Sequence, residues 1–139
     1  MKKIYSKLED RRIISTIIEY DEITEYRTDI CPPEEYIQVC ARKLRDKTTV
    51  SPHKHSLIKR ETDITQEVWI VFEGKVRAKF YDMDSSYLCD AEIEKGGCMV
   101  LFRGGHSLEA LEENTVFYEI KNGPYYGVSA GKELISERS

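Results

Sequence analysis

Three histidines and one glutamate are the residues of this 139-residue chain whose types and spacing could do chemistry. His53 and His55 stand as a His-Lys-His run after Pro52, and His106 follows Gly104-Gly105. Neutral imidazole is a good ligand for borderline metals, and a strand points alternate side chains to one face, so both members of the pair can reach one ion. Glu67 opens the run Glu67-Val68-Trp69-Ile70-Val71-Phe72-Glu73-Gly74. The strand carrying it must end at a tight reversal, where glycine supplies positive φ. Three nitrogens and one carboxylate oxygen suit a divalent Mn, Fe, Co, Ni or Zn, among which ligand type alone does not choose. A lone strand histidine is ordinarily hydrogen-bonded or solvent-facing. Two on one face are different, because two buried neutral rings must each satisfy a donor and an acceptor.

The elements that must position these groups read as strands. Ile13 to Tyr20 is rich in β-branched residues and reads as a strand, although so short an apolar run also fits a helix. Cys31-Pro32-Pro33-Glu34-Glu35 is a stop, since two prolines remove two backbone donors. Strands are then expected over Tyr36 to Leu44, Val50 to Leu57 with the histidine pair, Glu67 to Phe72, and Lys75 to Asp82. In the last of these Val76, Ala78 and Phe80 alternate with charged residues, the period of a sheet with one wet face. Tyr87 to Ile93, Cys98 to Phe102, His106 to Leu111 and Thr115 to Lys121 complete the series. Many short, regularly punctuated strands favour an all-β sandwich or jelly roll. Beyond Lys121, the stretch Asn122 to Gly127 is a loop with two tyrosines, exposed or forming a lid, and the tail Ser136 to Ser139 is expected to fray.

His-x-His, then Glu, then six residues and Gly resembles the first motif of the cupins, and Gly96 to His106 is similar to the second. The resemblance covers residues 36 to 121. It implies a cupin-type double-stranded β-helix, a jelly-roll barrel, with His53, His55, Glu67 and His106 around one divalent transition metal. Eleven residues, Ser56 to Gln66, separate His55 from Glu67, more than the family usually has, so an extended loop is implied. Phe102 or Arg103 stands where the family often has proline. Gln38-Val39-Cys40-Ala41, Pro52 to His55, Gln66 to Trp69 and Lys121 to Tyr125 resemble small single-domain bacterial cupins of sugar and surface-polysaccharide biosynthesis. That likeness implies a small polar metabolite, a sugar or nucleotide-linked sugar, with isomerisation or epimerisation as the reaction. A non-catalytic metabolite-binding cupin and a metal-dependent dioxygenase are the alternatives.

Other side chains are candidates by face. Trp69 shares the face of Glu67 and reads as a pocket wall or a packed core residue, while Gln66 should point outward on the opposite face. Tyr118 and Glu119 lie on opposite faces of one strand. Tyr118 is the acid-base candidate, because an ionised glutamate inside an apolar barrel is costly. Gln38 and Arg42 share a face and could bind a polar substrate, or stand on a solvated or subunit-facing edge. Arg103 could attract an anionic group at the cavity mouth, or sit in a solvated turn. Cys40 and Cys98 read as buried small hydrophobes.

Bulk properties narrow the classes. The length suits one domain: an N-terminal strand and Pro-rich loop over 1–35, a core over 36–121, and a C-terminal loop and tail over 122–139. A net charge of −4 carries no basic excess of the kind nucleic-acid binding needs. No apolar run approaches the length of a leader or a membrane span, so a cytoplasmic protein without a membrane partner is expected. Cys31, Cys40, Cys89 and Cys98 lack close spacing and read as free thiols. Because cupins pair through sheet edges, a homodimer is expected, with Ile13 to Ile18 adding a strand to a neighbouring subunit.

Overall fold

The computed structural model describes residues 1–128 and 130–136; of the Ser136 to Ser139 tail, all but Ser136 lie outside them. The chain forms β1 (Lys2–Tyr5), β2 (Ile13–Ile18), a 3-10 turn (Tyr20–Glu22), β3 (Thr28–Asp29), β4 (Cys40–Ala41) and β5 (Glu67–Glu73). Then come β6 (Lys75–Tyr81), β7 (Tyr87–Glu94), β8 (Cys98–Leu101), β9 (Gly105–Ala110) and β10 (Val116–Lys121). Among the described residues there is no α-helix, and none long and apolar enough to cross a membrane.

Three antiparallel sheets result, ordered β1-β2-β8-β5-β10, β7-β6-β9 and β3-β4. Their hydrogen bonds do not run round a closed barrel. The five-stranded sheet ends at β1 and β10, the three-stranded one at β7 and β9. The two larger sheets share one core, in which Trp69, Val71, Met99 and Leu101 meet Val76, Ala78, Phe80 and Ile93. On its other side the five-stranded sheet presents Ile18, Val68, Cys98 and Val100, and these are covered by Ile30, Cys31, Ile37 and Val39 from the segment around β3 and β4.

A sheet buried on both faces needs apolar residues in succession rather than in alternation. Accordingly every residue of β2 and of β8 is buried. This corrects two expectations. Ile13 to Ile18 lies between β1 and β8 and so has no free edge to offer a neighbouring subunit. The strand expected over Tyr36 to Leu44 shrinks to Cys40–Ala41, because Ile37 and Val39 serve as cover rather than as ladder.

The strand expected over Val50 to Leu57 does not form. From Arg42 to Gln66 the chain has no regular structure, and residues 42–63 are exposed. Val50 and Leu57 would point to opposite faces, and Pro52 removes a ladder donor, so neither face gains enough burial to order a strand. Gly74, with φ of 77°, turns β5 into β6 as its position required, and a Cβ there would run into Thr115.

A polar knot closes one end of the outer layer. The buried Arg103 guanidinium donates to Glu35 Oε1 at 2.6 Å and to the Ile13 carbonyl. Gln66, expected to face outward, is also fully buried. It donates to Glu35 Oε2 at 2.5 Å and accepts from the Ile37 amide at 2.7 Å. Arg103 lines an open cleft of about 460 Å³ together with Arg12, Glu35 and Ile64, and its charge is already engaged by Glu35. Removing one partner of a buried ion pair strands the other's charge. Arg103→Met should lower unfolding free energy by about 3 kcal/mol, read as a fall in the urea midpoint, and adding Glu35→Gln should recover part of the loss.

Candidate functional site

Antiparallel register decides which side chains meet. Glu67 stands opposite Lys121 on β10 and Leu101 on β8, and Trp69 stands opposite Glu119 and Met99, so all of these face the three-stranded sheet. On that sheet His106 of β9 stands opposite Phe80, a core residue, and therefore faces back. The two open edges, β9 and β10, thus bring His106 to Glu67 from opposite layers. Gly104, with φ of 75°, sets the turn that aims His106; a Cβ there would strike the Tyr81 carbonyl oxygen.

Glu67 is buried and fully engaged. Its Oε1 accepts from Trp69 Nε1 at 2.5 Å and lies 3.4 Å from His106 Nε2, and its Oε2 lies 3.3 Å from Lys121 Nζ. The Trp69 and His106 rings meet edge to face at 5.3 Å, and Phe117 flanks the tryptophan at 5.6 Å. Lys121 also reaches Glu119 Oε1 at 2.7 Å. That hydrogen bond chiefly, and the Glu67 charge after it, hold the ammonium pKa above its usual value. Burial alone would push the Glu67 carboxyl up, but the His106 hydrogen bond and charge, the Trp69 indole and Lys121 together outweigh it and hold it at about 2. Beside this group an open cleft of about 390 Å³ is lined by Glu119, Lys121, Tyr125, Val128 and Lys132.

The expected site residues separate into those that converge and those that do not. Glu67, His106 and Trp69 come together. His53 and His55 lie on the exposed segment, where His53 Nδ1 is 2.8 Å from the Ser51 carbonyl and the two rings contact each other at 5.5 Å. Tyr118 points away from the cleft, 60% exposed, against Phe72. Glu119 takes the position facing the cleft instead, where it is still 44% exposed and paired with Lys121. Gln38 is exposed and donates to the Pro32 and Glu35 carbonyls, and Arg42 lies over the Tyr26 ring; neither joins the cluster. Lys121 is the residue that sequence reasoning missed. Its two-residue spacing from Glu119 puts both on one face, but that they oppose Trp69 and Glu67 depends on pairings 50 and 54 positions apart in sequence.

Among the described residues no three His, Cys, Asp or Glu side chains gather closely enough to hold a metal ion. Glu67 and His106 are two donors of the expected four, and both Glu67 oxygens already have partners. The Lys121 ammonium beside Oε2 would repel a second cation, so the residues as placed do not fit a metal. No protein family, curated protein or solved structure matches the chain.

Glu67 gives a pH test with a defined sign. A carboxyl at about 2 in the folded state, against an ordinary 4.5, contributes stability that is present above pH 5 and lost as pH falls toward 2, because the unfolded chain takes up the proton first. Urea unfolding between pH 7 and pH 2 should show on the order of 2–3 kcal/mol from this group. Glu67→Gln should flatten the profile by that amount, and an unchanged profile would mean the carboxylate is not so held.

Proposed function

We propose that this chain is a cupin-like jelly-roll protein that takes a small polar metabolite, a sugar or nucleotide-linked sugar, in the cleft beside Glu67 and His106. On this view it moves a proton on that ligand in an isomerase- or epimerase-like reaction. The observation that carries the reading is the pairing of His106 with a buried, ionised Glu67. A carboxylate facing Nε2 favours the tautomer with its proton there and leaves Nδ1 as the base. Nδ1 would take a proton from a carbon next to a carbonyl, Glu67 would stabilise the imidazolium, and the imidazolium, its proton exchanged with solvent, would return one proton to the other face or the neighbouring carbon, so that the reaction closes without net gain or loss of atoms. Lys121 and Glu119 would bind hydroxyl groups at the cleft wall.

A second reading retains the metal. The segment carrying His53 and His55 is exposed, makes local side-chain hydrogen bonds such as Thr48 to Arg45 and Arg60 to Ile58, and leads into the strand of Glu67. It can therefore fold back over the cleft without opening the core, adding two imidazoles to Glu67 and His106 once Lys121 turns wholly to Glu119.

One set of measurements separates these readings. Wild type, His106→Asn and His53→Ala are incubated in D2O with a panel of nucleotide sugars, followed by NMR, with elemental analysis of each protein purified without affinity histidines. The proton-transfer reading expects deuterium incorporation that falls about 100-fold or more in His106→Asn and persists in His53→Ala. The metal reading expects near-stoichiometric metal that both variants lose. Wild type that neither exchanges nor binds any panel member, and carries no metal under loading, would defeat both.

A further inference from the structure

The cleft of about 460 Å³ that Arg103 lines shares no residue with the one beside Glu119 and Lys121. Three hydrogen bonds in its floor fix the order of its walls. The Ile13 carbonyl accepts from Arg103 Nη1, Arg103 Nη2 donates to Glu35 Oε1 at 2.6 Å, and Glu35 Oε2 accepts from Gln66 Nε2 at 2.5 Å. Arg11 and Arg12, which precede Ile13, therefore stand at one end of this row, and Glu61 and Asp63, which lead up to Gln66, at the other. Glu34 lies beside Glu35, so charge runs from positive to negative across the opening. Asn122 pins the acidic wall, donating to the Ile64 carbonyl at 3.0 Å and accepting from the Gln66 amide at 2.7 Å.

The floor is neutral but incomplete. The Arg103 and Glu35 side chains, 7% and 8% exposed, cancel each other's charge. The Arg103 Nε–H, however, is buried without an acceptor, which native interiors rarely leave standing. A modest turn of the side chain toward an acceptor in the cleft would pair it. The exposed charges above are also little used within the protein. Among the described residues Arg11, Glu34 and Asp63 have no ion-pair partner, Arg12 meets Glu9 only at 4.0 Å, and Glu61 pairs with the equally exposed Lys59.

Those charges decide the ligand. With Arg103 and Glu35 set aside, two arginines and three carboxylates line the opening. A polyphosphate would be repelled at the acidic wall and a polyamine at the basic one, whereas a molecule with one anionic and one cationic end is matched at both. The row from Ile13 to Gln66, three hydrogen bonds and two planar groups, spans on the order of 10 Å. That is too long for the two charges of an α-amino acid and suits two or three extended residues at ~3.5 Å each.

We propose that this cleft binds a di- or tripeptide by its two charged termini. The carboxylate lies against Arg11, Arg12 and Arg103, and the ammonium against Glu34, Glu61 and Asp63. Tyr36 and Ile64, which also line the cleft, accept an apolar side chain. This site stands apart from the reaction proposed at Glu67 and His106 and does not require it.

The test titrates the full-length chain with the tripeptide Ala-Ile-Ala, followed by nitrogen-15 NMR that includes the arginine Nε–H signals. Binding with a Kd of ~0.1–1 mM is expected, the Arg103 Nε–H signal moving as it gains an acceptor. Amidating the peptide's C-terminus or acetylating its N-terminus should each weaken binding at least ten-fold, since each removes one charge. Arg11→Gln with Arg12→Gln should shrink the amidation penalty at least three-fold and leave the acetylation penalty in place. Glu61→Gln with Asp63→Asn should do the reverse. All four side chains are exposed, so these variants keep the core. No shift at about 10 mM peptide, an Arg103 Nε–H unmoved at saturation, equal binding of the three peptide forms, or tighter binding of pyrophosphate or spermine would each overturn the proposal.

Discussion

An ionised carboxylate buried between two sheets is the constraint on which this structure turns. Glu67 would be costly in an apolar interior, and three different neighbours offset that cost: an indole from its own strand, an ammonium from β10 and an imidazole from the opposite sheet. Each arrives because of register. Trp69 is two residues along the strand, Lys121 is directly opposite, and His106 faces back from the edge strand β9 of the other sheet. A slip of one residue in the β5–β10 pairing would turn Lys121 outward and leave the charge with two partners rather than three. The polar cluster and the sheet alignment thus enforce one another.

The layering explains why chemistry concentrates at that place. The five-stranded sheet is covered by three strands on one face, where Phe117 of β10 packs against the shared core, and by an irregular segment on the other, which does not reach β10. At that end β9 and β10 leave a gap, and the polar residues of the inner face meet solvent there. The other end of the sheet carries Arg103, Glu35 and Gln66, joined by short hydrogen bonds. Both polar groups border open space, Glu119 and Lys121 at one cleft and Glu35 and Arg103 at the other.

Much of this was legible in the residues and some was not. Seven of the strands, β2 and β5 to β10, could be read from β-branched runs and turn glycines, β1 could not, and the period-two pattern of β6 named its inward face correctly. Glu67 and Trp69 on one face followed from alternation alone. The order of strands did not, because antiparallel pairing between β2 and β8 or between β5 and β10 leaves no local trace. Without it, Glu119 looked too costly to face inward and Tyr118 was preferred; the countering lysine was two residues away but its alignment was hidden. Gln66 was misjudged for a related reason, and the partner of Arg103 was hidden in the same way. Polar side chains look solvent-bound until a partner such as Glu35 is brought from 31 or 68 positions away. The His-x-His run carried a strand expectation that its own composition, with apolar residues on opposite faces and a proline between, does not support.

The place of β2 between β1 and β8 has a consequence for synthesis. Ser15 and Val100, joined by a 2.8 Å hydrogen bond, are 85 residues apart in the chain. The segment Ile-Ile-Ser-Thr-Ile-Ile therefore leaves the ribosome several seconds before the strand that will cover it exists. During that interval six residues of high β-propensity, with no charge and no proline, are held only by a short hairpin with β1. Nascent-chain handling, rather than the finished fold, is where this run is most exposed to misassembly, and Arg12 and Glu19, which flank it directly, are the charges nearest to it.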